Sequence, residues 1–148
     1  MTQDKNQIIE SLIAIHGEIG LAPARRDWTA IFECDGRPVE IMNLLKFKAE
    51  VATLEGPISG AAAYGRYAAA NAQPFARVGG ERLYFGRVTH MFGLGEAPGW
   101  DAVILTRYPS PLALANMWLD PDFIAAHKNR EDGVERSQVL VFGKPKRS

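Results

Sequence analysis

A strand, a helix and a strand follow one another twice in this chain, and this repetition is the feature that most constrains its fold. The first set runs from Val39 to Phe92, and the second runs from Trp100 to Phe142. Each predicted strand is apolar on both faces, as strands covered on both sides are. Helices cover one face of such a sheet, so the other face needs a second partner. The pattern therefore predicts a homodimer in which the sheets pack against each other.

Four short apolar segments with strand character set the expected sheet. Their predicted bounds are Val39–Lys48, Arg82–Phe92, Trp100–Tyr108 and Ser137–Phe142. Gly86 is expected to break the second strand, and residues 93–99 are expected to form the turn that follows it. Short connections and right-handed crossovers favour an α+β fold, a ferredoxin-like βαββαβ antiparallel sheet of order 4-1-3-2 with helices on one face.

Capping residues mark where the helices of the two units begin. Candidate starts with a capping side chain occur at Ser59, Ser110-Pro111 and Asp120-Pro121. The helices expected from these starts are 60 to about 78, 111–119 and 121 to about 131. Gly79 and Gly80 follow the first of them and are predicted to end it.

Residues 1–37 are predicted to be an N-terminal helical extension, and residues 38–148 the core domain. Apolar residues at helical spacing predict a helix from Gln3 to His16. A second short helix is predicted from Asp27 to Glu33 with Asp27 as its cap, before a turn at residues 35–36.

The composition excludes several classes of protein. Seventeen basic and seventeen acidic side chains leave no net charge, so neither nucleic acid nor a membrane surface is an expected partner. Cys34 is the single cysteine, which excludes an intramolecular disulfide. No segment approaches the ~20 apolar residues of a spanning helix. The polar start, Met1 to Asn6, lacks the apolar core of an export signal, so a cytoplasmic location is expected.

The three histidines show no recurring metal-ligand spacing, so no metal site is predicted. No cofactor is expected either. Haem stays open as an alternative, because a single histidine suffices to bind its iron.

An ordered series of motifs resembles the domain-of-unknown-function 1330 family. The motifs are Met42 to Lys48, Tyr64 with Tyr67, Val78 to Gly80, Trp100-Asp101, Tyr108 to Ser110, and Asp120-Pro121 with Arg130. The resemblance covers roughly residues 38–143, and it implies the dimeric α+β barrel superfamily. It implies no activity, since none is established for the family. Other branches of that superfamily include cofactor-free monooxygenases, haem-degrading enzymes and chlorite or muconolactone enzymes.

Polar side chains interrupt two of the apolar surfaces. Asn43 lies between Ile41 and Leu45 on one face of the first strand, and Tyr64, Tyr67 and Asn71 share one stripe of the following helix. These four residues are candidate ligand-binding residues, because polar groups that converge from a helix and a sheet are typical of a small-molecule pocket. The alternative is that they only satisfy one another's hydrogen bonds.

Four further candidates come from the second unit. Arg107 could bind a carboxylate through its planar fork, although a salt bridge is the simpler explanation. Trp118 and Arg130 are further candidate ligand-binding residues, and Phe123, His127 and Arg130 share one helix face. His127 is the candidate catalytic acid–base residue.

Three functions remain open at this point. The first is binding of a small metabolite in a pocket between the helices and the sheet of a homodimer. The second is a cofactor-independent enzyme, similar to a monooxygenase or an isomerase, that acts on a small aromatic or carbonyl compound. The third is a non-catalytic structural dimer.

Overall fold

The computed structural model describes residues 4–17, 21–34, 37–93 and 99–142. Within these residues the chain forms five helices and four strands. In chain order they are α1 (Lys5–His16), α2 (Arg25–Phe32), β1 (Val39–Phe47), α3 (Gly60–Arg77), β2 (Glu81–Arg87), β3 (Ala102–Tyr108), α4 (Pro111–Leu119), α5 (Pro121–Gly133) and β4 (Val134–Phe142). None of these helices is both long enough and apolar enough to cross a membrane.

The four strands form one antiparallel sheet of order β2-β3-β1-β4. This is the predicted 4-1-3-2 order, so the ferredoxin-like fold is confirmed. The two central strands, β1 and β3, pair over seven residues, with Met42 opposite Leu105 and Leu44 opposite Val103. Side chains alternate between the faces of a sheet, and Val39, Ile41 and Tyr108 are buried on the face that the helices cover. Met42, Leu44, Val103 and Leu105 therefore lie on the opposite face, which we call the open face.

The helix starts follow the predicted capping chemistry. The Ser59 hydroxyl accepts a hydrogen bond from the Ala62 amide at 3.0 Å, and the Ser110 hydroxyl accepts one from the Ala113 amide at 3.1 Å. Asp120 ends α4, and its carboxylate caps α5 by accepting from the Asp122 amide at 2.9 Å. The predicted break between the two short helices is thus confirmed.

Several predicted boundaries are wrong. β2 ends at Arg87 instead of Phe92, because its regular pairing with β3 ends at Arg87 and Ala102; beyond this pair the Val88 amide still donates to the Asp101 carbonyl at 3.0 Å. The irregularity in β2 lies between Arg82 and Tyr84, and Gly86 pairs regularly with Val103. An apolar alternation continues past the last paired residue, and the sequence cannot show where pairing stops.

The predicted starts of β4 and α2 are wrong as well. β4 begins at Val134, directly after α5, three residues earlier than predicted. α2 begins at Arg25, with Ala24 at the N-cap, so Asp27 is not the cap. The Asp27 carboxylate instead accepts from the Ala24 amide at 2.8 Å, which stabilises the same turn from its third position. The turns predicted at 35–36 and within 94–98 lie outside the described residues.

The two helices of the N-terminal extension, which we call the leader, share one buried cluster with the sheet. Ile8, Leu12 and Trp28 from α1 and α2 pack in the same core as Val39 of β1 and Phe123 of α5. Trp28, Leu12 and Phe123 are each at most 1% exposed. α1 and α2 therefore supply part of the core on the helix-covered side of the sheet.

Candidate functional site

A cavity of about 560 Å³ lies between the sheet and the helices. Ile41 and Asn43 of β1 and Val139 of β4 form its sheet side, and Tyr64 and Tyr67 of α3 line it from the helices. Its volume falls in the range of small-molecule sites, roughly 300–1,000 Å³. The wall is mainly apolar, with a small number of polar groups, as such sites usually are.

The leader forms one wall of this cavity. Trp28, Ile31 and Cys34 of the α2 region line it, together with Leu21 and Pro23 from the segment that precedes α2. Trp28 also packs edge-to-face against Trp118, with ring centroids 5.8 Å apart. The leader thus contributes directly to the shape of the candidate site.

Asn43 and Arg130 meet at the cavity wall. Arg130 of α5 is 6% exposed, and its Nη2 donates to the Asn43 side-chain oxygen at 3.4 Å. Its Nη1 is buried and has no hydrogen-bond partner among the described residues. No described carboxylate lies within salt-bridge distance of Arg130. A buried, incompletely bonded cation at a cavity wall is the least expected polar feature of this protein.

Tyr64 and Tyr67 stand beside this cation. Their rings lie 5.3 Å apart, and Tyr64 also contacts Phe47 at 5.5 Å. Burial raises the pKa of Tyr64, and the positive charges of Arg130 and Arg82 oppose that rise. Burial also raises the pKa of Tyr67, and Arg130 again opposes it. Both phenols therefore stay protonated at neutral pH and can donate hydrogen bonds.

Asn71 belongs to a second, smaller cavity of about 260 Å³ between α3, β1 and β3. Its side-chain amide donates to the Tyr67 hydroxyl at 3.3 Å, and its buried Oδ1 has no partner among the described residues. Asn43, Tyr64 and Tyr67 line both cavities. The predicted α3 stripe is therefore brought onto Asn43, but Asn71 faces the smaller space.

His127 does not line either cavity. It is 7% exposed and stacks on Phe123, with Trp118 and His16 also in ring contact. The pKa of His127 is lowered to about 4, mainly by burial and also by the charge of Arg130, while Glu131 opposes the shift. The neutral ring then donates from Nε2 to Glu131 Oε1, 3.0 Å away. His127 therefore packs against these aromatic rings, and its side chain does not line the space in which a ligand would bind.

The pKa of His127 predicts a specific pH dependence of stability. The folded-state value, about 4, lies below the ordinary value of 6.5, so between these values the unfolded chain binds a proton that the folded chain does not. The contribution of neutral His127 is therefore fully present above pH ~6.5 and is lost as the pH falls toward ~4. Between pH ~7 and ~4.5 the free energy of unfolding should fall by about 2 kcal/mol less in His127→Gln than in the unmodified protein, measured by urea unfolding.

The matched control is His90→Gln, because His90 is exposed. This change should leave the pH dependence of the unfolding free energy as it is in the unmodified protein. Equal slopes for the unmodified protein and His127→Gln would contradict the assignment.

Arg107 lies on the open face, away from the cavity. It donates to Glu40 at 2.8 Å and lies 3.7 Å from Glu81. Asp101 has its own partners, since it lies 3.6 Å from Lys46 and accepts from the Phe47 amide at 2.8 Å. Arg107 therefore forms its salt bridges within one chain, as Asp101 does, and it is not placed with the other candidate ligand-binding residues.

Trp118, a candidate ligand-binding residue, lines the larger cavity, and Tyr108 is a cavity residue that the sequence did not single out. Trp118 lines the larger cavity, and its backbone oxygen lies 2.8 Å from His16 Nε2. Tyr108 lines both cavities, and burial raises its pKa to about 12. Its position on the same strand face as Ile104 was a usable signal. The described residues contain no group of three or more His, Cys, Asp or Glu side chains that could hold a metal ion.

Comparison with known proteins gives a family but no activity. The chain is similar to RPA0582, a protein of unknown function from Rhodopseudomonas palustris, with 28% identity and a TM-score of 0.70 over 80% of this chain and 92% of that one. The methylated form of RPA0582 matches with 29% identity, a TM-score of 0.70, and 80% and 90% coverage. A hydroxynitrile lyase from Passiflora edulis shares the fold, with 12% identity, a TM-score of 0.54, and 76% and 98% coverage.

No functionally curated protein matches the sequence. The sequence profile described as "domain of unknown function (DUF1330)" matches residues 51–144. The match begins after β1, so Asn43 lies outside it, whereas the motif resemblance began at residue 38. Because the match spans more than half of the chain, this protein belongs to the DUF1330 family.

Proposed function

We propose that this protein binds a small metabolite in the larger cavity, between the helices and the sheet of a homodimer. The observation that carries the proposal is the convergence of Asn43, Tyr64, Tyr67 and Arg130, from three separate elements, on a single cavity of about 560 Å³. Apolar walls with a few converging polar groups are what a specific small-molecule site requires.

The polar groups in the wall favour binding over acid–base catalysis. The two phenols hold their protons because burial raises the pKa of Tyr64 and of Tyr67. The candidate acid–base residue, His127, is packed in an aromatic cluster behind the wall. A site built from donors can orient a ligand without exchanging protons with it.

Mass spectrometry under native conditions tests the proposal. Protein purified without denaturation should carry a small molecule, or should bind members of a metabolite library in ligand-observed NMR. Ser137 lines the cavity, so Ser137→Trp should fill space that the ligand needs and weaken binding at least about tenfold. Ala69→Trp is the control, because Ala69 is exposed on α3.

The two other functions make different predictions. A purely structural dimer would bind no member of the library, and Ser137→Trp and Ala69→Trp would behave alike. An enzyme would convert the bound compound, which the mass spectra would detect as a gain of mass for an oxygenation and the NMR spectra as new ligand signals for an isomerisation.

The homodimer is proposed to form through the open face. Met42, Leu44, Val103 and Leu105 form the apolar centre of that face. Five charged side chains beside this centre are paired within the chain: Arg107 with Glu40 and Glu81, and Lys46 with Asp101. Arg136 of β4, opposite Lys46, instead lies over the Trp100 ring, 5.2 Å from its centroid. An apolar centre whose neighbouring charges are largely neutralised suits a second, identical face better than a charged partner.

A further inference from the structure

We infer that Arg130 holds a carboxylate, so that the larger cavity selects small monocarboxylates with an apolar body. This inference rests on the proposed function and names the ligand class for that site. The first observation concerns the ion pairs of the arginines.

The buried Arg130 has no carboxylate partner among the described residues, whereas several exposed arginines do. The side chains of Arg25, Arg77 and Arg107 are 42–48% exposed, and each has a carboxylate partner. Arg130 is 6% exposed and has none among the described residues. Desolvation makes an unpaired charge costly in the interior and cheap at the surface, so an unpaired, buried Arg130 is the reverse of what folding alone favours.

The neighbouring acid is engaged elsewhere. Glu131 Oε1 accepts from the Leu21 amide at 3.2 Å and from His127 Nε2 at 3.0 Å. Glu131 therefore connects the segment before α2 to α5 and does not form an ion pair with Arg130. The charge of Arg130 is felt by the groups around it, because it opposes the raised pKa values of Tyr64, Tyr67 and Tyr108.

One guanidinium matches one carboxylate. A planar fork of N–H donors binds a carboxylate in two parallel hydrogen bonds, and a single positive charge neutralises a single negative one. Within the described part of the chain Nη1 of Arg130 has no partner, and Nη2 has one long bond to Asn43. The Tyr64 and Tyr67 phenols supply further donors at the same wall.

The remainder of the cavity fits an apolar body. Ile31, Ile41, Leu114, Trp118 and Val139 line it. Asp27 is the one carboxylate among the described lining residues, and its oxygen already accepts from the Ala24 amide. A second charge on the ligand would therefore meet apolar side chains, which disfavours dicarboxylates and phosphates.

Matched acids and amides test the inference without any mutation. Binding of benzoate, phenylacetate and hexanoate is compared with that of benzamide, phenylacetamide and hexanamide by NMR titration at neutral pH. The acids should bind about 10- to 100-fold more tightly than the amides of the same shape, because only the acids neutralise a buried cation.

Arg130→Met should remove this preference, and Arg130→Lys should keep part of it. Arg66→Met is the matched control, because Arg66 is exposed on α3, and it should change nothing. Without ligand, Arg130→Met should melt at the same or a higher temperature than the unmodified protein, since it removes an unpaired buried charge. A lower melting temperature for Arg130→Met, with the acid preference as strong in Arg130→Met as in Arg66→Met, would assign Arg130 to the fold instead.

The outcomes separate the two proposals. Equal affinity for acids and amides overturns the carboxylate assignment and leaves the binding cavity in place. Binding of none of the six compounds overturns the carboxylate assignment as well, and the native mass spectra then decide the proposed function independently.

Discussion

Replacing Gly60 with alanine should destabilise the protein by about 3 kcal/mol, or prevent it from folding. Gly60 begins α3 and Gly133 ends α5, and the two backbones nearly touch there. A Cβ atom on Gly60 would lie 2.6 Å from the Gly133 carbonyl oxygen and closer still to that of Lys48. These are backbone atoms, and they are held by hydrogen bonds from Gly60 N to Lys48 O at 3.0 Å and from Lys48 N to Gly133 O at 2.9 Å. Relief would require the helices to move apart.

Gly65→Ala is the matched control for this change. Gly65 lies in the same helix, and a Cβ there would meet nothing within 4 Å. It should leave stability unchanged or raise it by up to about 1 kcal/mol, because alanine is the better helix former. Chemical denaturation measures both variants, and equal stability of Gly60→Ala and Gly65→Ala would contradict the close approach.

The same contact matters for the candidate site. α3 carries Tyr64 and Tyr67, and α5 carries Arg130, so the distance between these helices sets the position of the donors in the wall. A Gly60→Ala protein that still folds should therefore bind cavity ligands more weakly than Gly65→Ala. This crossing was not predicted from the sequence, because the two glycines are 73 positions apart.

The order of the sheet could be predicted because its signals are local. Strand alternation, the caps at Ser59 and Ser110, and the Asp120-Pro121 break each depend on a few neighbouring residues. The end of β2 could not be predicted in this way. The pairing of β2 with β3 stops at Arg87 because β3 starts at Ala102, which lies 15 positions later in the chain.

The candidate site was predictable on one side only. The stripe of Tyr64 and Tyr67 and the position of Asn43 indicate which side chains converge between α3 and β1. The leader wall around Trp28 follows from no pattern within residues 1–37, because it depends on packing against the rest of the fold. The sequence likewise does not show that Arg130 lacks a carboxylate partner among the described residues. Glu131 is adjacent in sequence, but in the fold it bonds His127 instead.

Val103→Asp should dissociate the proposed homodimer while leaving each chain folded. Val103 is central on the open face, opposite Leu44 of β1 and Gly86 of β2. In a face-to-face dimer the new carboxylate would be buried without a partner, at a cost of about 3 kcal/mol or more, and two copies of it would oppose each other across a two-fold axis. The dissociation constant should therefore rise at least ~150-fold.

In a single chain the same carboxylate would face water. Loss of the dimer with an unchanged circular dichroism spectrum is thus the expected signature, and sedimentation velocity over a concentration series measures it. Ala69→Asp provides the control, because it adds the same charge at an exposed position on α3, away from the open face. A Val103→Asp protein that sediments as a dimer, or an unmodified protein that sediments as a monomer, would show that the open face is not the interface. The cavity lies on the other side of the sheet, so ligand binding by the Val103→Asp monomer should survive, which separates the two parts of the proposed function.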